Sequence, residues 1–73
     1  MTIKAYYSTR RGGSGVRPIR TAAEAEKILK GGYDASSVRL ENEAGVVIGQ
    51  RWKMAERGRD RWYWSYEPDA FPQ

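Results

Sequence analysis

The chain has 73 residues and a mass of 8.3 kDa, enough for one domain with one modest core and too short for a second. It contains no cysteine and no histidine, which removes disulfides, thiolate metal sites, the commonest general base and the best nucleophile. With a net charge of +4 and a pI of about 9.7, the composition points to a single domain over 1–73 that binds something acidic, without cofactor, metal or catalysis.

Residues 2–9 read as a strand, because Ile3, Ala5 and Tyr7 alternate with Lys4, Tyr6 and Ser8 in a period that suits one buried and one wet face. Arg10-Arg11-Gly12-Gly13-Ser14-Gly15-Val16-Arg17 follows. Its glycines have low propensity for any regular element, so a mobile basic loop is expected there.

The helix signal is the strongest in the chain. Thr21 is a good N-cap, Glu24 completes a capping box, Ala22, Ala23 and Ala25 favour helix, and Gly31-Gly32 stops it. Ala22, Ala25, Ile28 and Leu29 fall on one side, an apolar stripe of about three turns that seeks a sheet. A short strand, Ser37-Val38-Arg39-Leu40-Glu41, comes next. The turn Asn42-Glu43-Ala44-Gly45 joins it to a longer strand over 46–54, and a second turn over 56–60 leads to Arg61-Trp62-Tyr63-Trp64-Ser65-Tyr66, with Pro68 and Pro72 ending regular structure.

This order, β-α-β-β-β, predicts an α+β fold with one helix packed on a curved, mainly antiparallel sheet of about four strands. Alternation assigns Ile3, Ala5, Tyr7, Val38, Leu40, Val46, Ile48, Trp62 and Trp64 to the core beside Ala25, Ile28 and Leu29. The outward set is then Lys4, Tyr6, Arg39, Val47, Arg51, Lys53, Arg61 and Tyr63, which interleaves cations with rings. Two readings fit that face. The cations can solvate a half-exposed sheet while the aromatics close a small core, or they can draw phosphates while the rings stack unpaired bases. Trp52 is ambiguous: counting from Ile48 turns it inward, yet Trp52, Trp62 and Trp64 together are more indole than so slight a helix covers.

Charge is uneven along the chain. Residues 1–23 hold Lys4, Arg10, Arg11, Arg17 and Arg20 with no acid, residues 24–50 are mildly acidic, and Arg51, Lys53, Arg57, Arg59 and Arg61 outnumber Glu56 and Asp60 in the segment that follows. The Gly-rich loop lacks both the Gly-Lys-Ser/Thr ending of a P-loop and the third glycine of the dinucleotide fingerprint, because Pro18 stands in its place. Contact with a phosphate backbone or an acidic protein patch remains open for it, beside a simple spacer role. Glu41, Glu43 and Asp60 form no carboxylate pair, and a lone Glu41 base is the weakest hypothesis. The aliphatic run Val46-Val47-Ile48 is far below the roughly 20 residues of a membrane helix. Met1-Thr2-Ile3-Lys4-Ala5-Tyr6-Tyr7 has no apolar signal-peptide stretch. A cytoplasmic protein with no membrane partner is expected.

The succession Thr21-Ala22-Ala23-Glu24-Ala25-Glu26-Lys27-Ile28, Ser37-Val38-Arg39-Leu40-Glu41, Gly45-Val46-Val47-Ile48 and Arg61-Trp62-Tyr63 resembles very small phage-encoded anti-CRISPR proteins of β-α-β-β-β layout. The resemblance spans residues 18–64 and is one of arrangement rather than motif, so it transfers no individual residue. It implies a non-enzymatic inhibitor in the host cytoplasm that binds a Cas nucleoprotein complex and obstructs target DNA. The alternative is a DNA- or RNA-binding module with weak sequence preference. On either reading the partner-binding residues expected are Arg10, Arg11, Arg17, Arg51, Lys53, Arg57, Arg59, Arg61, Tyr6, Tyr63 and Trp52.

Overall fold

The computed structural model describes residues 3–9, 11–31 and 35–71. In chain order the elements are β1 (Ile3–Thr9), β2 (Ser14–Ile19), α1 (Ala22–Leu29), β3 (Ala35–Glu41), β4 (Val47–Glu56), β5 (Arg59–Tyr66) and a 3-10 turn at Pro68–Ala70. The strands make one antiparallel five-stranded sheet in the order β2-β1-β3-β4-β5, and α1 lies across one of its faces.

The α+β class with a single helix is as the sequence implies, but β2 was not foreseen. Residues 14–19, expected within or beside a mobile loop, pair with β1 from Ser8↔Ser14 to Ile3↔Ile19. The hairpin is closed by the Thr9 N–H donating to the Gly13 carbonyl at 2.8 Å and by the Gly13 N–H donating to Thr9 Oγ1 at 3.0 Å. Pro18 is tolerated because β2 is an edge strand, where a missing N–H leaves no neighbour unpaired. Gly15 is there for room rather than flexibility: a Cβ on it would sit 2.7 Å from the Tyr7 hydroxyl, whose ring crosses the strand at that point.

The Thr21 cap forms as read, but the return bond of the capping box goes to Arg20, one residue before the cap. The Glu24 N–H donates to Thr21 Oγ1 at 3.2 Å, and the Glu24 carboxylate accepts from the Arg20 N–H at 2.9 Å. The helix is shorter than its apolar stripe implied, at eight residues. At 1.5 Å per residue it is only about 12 Å long.

Ala25, Ile28 and Leu29 press onto Ile3, Ala5, Ile19, Ala35, Val38, Leu40, Ile48 and Phe71, all buried. Each large aliphatic side chain hidden there contributes about 1.5–3 kcal/mol. Ile19, Ala35 and Phe71 belong to this core although alternation did not nominate them. Three assignments are corrected: Val46 is 56% exposed in the connection before β4, and Trp62 and Trp64 are 40% and 37% exposed. Tyr7 is only half-buried at the rim.

A bulge decides the rest. Leu40 pairs with Gly49 while Glu41 pairs with Val47, so Ile48 is an extra residue on β4, and Ile48 and Gly49 are both buried. Inserting one residue into a period of two reverses every later side chain. Arg51 and Lys53, expected on the open face, therefore turn to the helix side opposite Trp64 and Trp62, and Trp52 turns to the open face opposite Tyr63.

Candidate functional site

β4 and β5 form a long arm. Ten residues of β4 extend about 33 Å at the rise of a strand, and a helix of about 12 Å is little more than a third as long. The molecule is elongated accordingly, 40 × 24 × 20 Å. Register pairs Gly49 with Tyr66 near the core and Glu56 with Arg59 at the far end, where Arg57 (φ 51) and Gly58 (φ 78) make a two-residue turn. Positive φ at both central positions is the type I′ geometry that matches strand twist. Asn or Gly ordinarily fills the first of them, and here an arginine does.

On the open face of the arm Trp52 stacks on Tyr63 with centroids 5.9 Å apart, and the Tyr63 hydroxyl donates to the Glu56 carboxylate. That bond, with partial desolvation, pushes the Tyr63 hydroxyl above its usual value of 10.0. Arg61 Nε lies 3.7 Å from the same carboxylate. Glu56, Arg57, Arg59 and Arg61 together line a concavity at the tip. Arg57 and Arg59 make no ion pair with any described residue, so one carboxylate faces three guanidinium groups there.

On the helix side of the arm the Arg51 guanidinium lies 4.4 Å from the Trp62 ring centre and donates from Nη1 to the Leu29 carbonyl at 2.9 Å. Only 8% of Arg51 is exposed. A charged donor at the last carbonyls of a helix satisfies a group the helix leaves orphaned, worth roughly 1.5–3 kcal/mol. Arg51 is thus committed to the fold, not to a partner. Lys53 sits 5.8 Å from the Trp62 ring and pairs with Asp60 at 3.5 Å, and Lys30 sits 5.3 Å from the Trp64 ring and pairs with Glu26 at 3.5 Å. Tyr66 stacks on Trp64 and donates its hydroxyl to Glu26. That bond is the main cause holding the Glu26 carboxyl below its usual range, and it raises the Tyr66 hydroxyl above 10.0.

The residues nominated from sequence are therefore divided. Arg57, Arg59 and Arg61 come together at the tip, with Trp52 and Tyr63 behind them on the open face. Tyr6 is on that face but well away across β3, where Arg39 lies 5.2 Å from its ring and is paired with Glu41. Arg17 is exposed on the β2 edge on the helix side, and Arg11 is exposed in the β1–β2 turn, at the opposite side of the sheet from β5. Arg10 lies outside the described residues. The single basic face expected from alternation does not exist, because the bulge sends Arg51 and Lys53 to the other side. Trp62 and Trp64 were missed as surface. The available signal was the ratio of three indoles to one short helix, and it pointed correctly to an exposed ring.

Among the described residues no group of His, Cys, Asp or Glu is placed to hold a metal ion, and no helix is long and apolar enough to cross a membrane. Comparison with protein-family models, with curated proteins and with solved structures finds no match to this chain.

Proposed function

We propose that the protein is a non-catalytic binding module that grips nucleic acid with the β4–β5 arm. The observation that carries this reading is the tip concavity, where three arginines converge around one already engaged carboxylate. Guanidinium groups pair with phosphate oxygens in bidentate fashion, and each phosphate neutralised releases condensed counterions. Contacts of this kind position a backbone without reading bases, so weak sequence preference follows.

The test is a titration against oligonucleotides at several salt concentrations. Affinity is expected to fall steeply with salt, and replacing Arg57 and Arg59 by Ala is expected to weaken binding and flatten the logarithmic slope by about two. No binding at low salt, or an unchanged slope in the double variant, overturns the reading.

Exposed Trp62 and Trp64 favour a second reading, since part-exposed indoles are frequent anchors of protein interfaces. On that reading the arm docks on a guide-bearing Cas nucleoprotein complex and blocks its target DNA. Capture by the assembled complex, with no affinity for free oligonucleotides, distinguishes it.

A further inference from the structure

Trp62 and Trp64 stand at alternate positions on the helix side of β5, which is an edge strand with no described residue paired along its outer side. Both rings lie beyond the dry core, and both remain more than a third exposed. Arg51 and Lys53 lie over Trp62, and Lys30 lies over Trp64, which also stacks on Tyr66, so Trp62 is the ring better placed to take a base. Asp60 and Glu26 pair with the two lysines, so positive charge near this strip comes from Arg51 and from the arm's tip. The rings lie on one face of the arm and Arg59 and Arg61 on the other, with Arg57 in the turn that joins them, so a strand that crosses the β5 edge meets both a stacking platform and a phosphate clamp.

From this geometry we infer that the helix side of the arm takes unpaired bases, so the ligand of the tip is a single strand rather than a duplex. The inference rests on the nucleic-acid reading above and deepens it. Alternate strand positions are about 6.6 Å apart, roughly twice the spacing of stacked bases, so a regular duplex cannot offer a ring face to each indole. In a duplex the faces of the bases are covered by their neighbours. A splayed single strand uncovers them, and any base serves, because every base has a π-face.

The probe is oligothymidylate, compared with a mixed-sequence duplex of equal length, followed by quenching of the intrinsic tryptophan fluorescence and by anisotropy of the labelled strand. The single strand is expected to bind more tightly. Trp62→Ala is expected to weaken single-strand binding by roughly 5- to 150-fold and to leave duplex binding unchanged, with Trp62→Phe restoring most of the loss. Trp64→Ala is expected to act in the same direction. Circular dichroism of each variant checks that the sheet is intact. Equal affinity for single strand and duplex, or indifference to Trp62→Ala, overturns the inference while the nucleic-acid reading stands. Failure of both probes to bind at low salt overturns the two together.

Discussion

The part of the sheet covered by α1 and the arm that extends past it are built from the same kind of strand, yet one is dry and the other wet. Under the helix, Ile3, Ala5, Leu40 and Ile28 are shut away from water by aliphatic neighbours. On the arm the same face is made of Trp62, Trp64, Arg51 and Lys53, held by cation–π contacts and exposed ion pairs. Burial contributes in proportion to area, whereas an exposed ion pair contributes about 0–1 kcal/mol and a cation–π contact at an exposed site about 0.5–1 kcal/mol. The lesson is that stability is concentrated in one half, so the side chains of the other are less constrained by the needs of folding.

The sharpest way to break this contrast is to truncate one large side chain in each half. Leu40→Ala is expected to cost about 2–5 kcal/mol and Trp62→Ala about 1 kcal/mol or less, read from urea unfolding. Equal losses would erase the distinction. Arg51 is the joint between the halves. Arg51→Ala is expected to cost about 1.5–3 kcal/mol, since it strips the Leu29 carbonyl of its donor. A double-mutant cycle with Trp62→Ala should show a coupling of about 1 kcal/mol, and strict additivity would mean that the stacked pair contributes nothing.

Arg57→Asn probes the tip in the opposite direction. Asn suits the left-handed backbone at φ 51 better than Arg does, so this variant is expected to gain up to about 1 kcal/mol of stability while losing affinity for its ligand. A gain in stability with unchanged affinity would remove Arg57 from the site.

The smallest effect is a pH dependence at the seam where Tyr66 meets Glu26. The lowered carboxyl of Glu26 contributes stability above its ordinary value of 4.5, lost as pH falls through the folded-state value. The raised hydroxyl of Tyr66 contributes below its ordinary value of 10.0, lost as pH rises through the folded-state value. Tyr66→Phe is expected to flatten both flanks of a plot of the urea midpoint against pH. A profile identical to that of the parent chain would show the bond to be energetically silent.

Much of the fold was legible along the chain because its signals are local. Thr21 and Glu24 announce the start of the helix with their own side chains, and Asn42 holds its turn by accepting from the Ala44 and Val46 N–H groups. β2 was not legible, because Gly15 and Pro18 carry low strand propensity and become acceptable only beside Tyr7 and at a sheet edge. Of the candidate site, Arg57, Arg59, Arg61, Trp52 and Tyr63 were nominated from the sequence and lie together on one arm, and Trp62 and Trp64 face the helix side as alternation implies, but the outward turn of Trp52 and the exposure of Trp62 and Trp64 were not legible.

Composition and pattern by themselves determined the α+β class, the capped helix, the turn after β3 and the basic, aromatic character of the last hairpin, since each depends on residues adjacent in sequence. Only the tertiary structure decided which cations meet. A single bulged residue, Ile48, rotates the remainder of β4, and a helix of eight residues leaves the arm uncovered. Both are properties of strand pairing and of relative length, and neither is written at any one position of the chain.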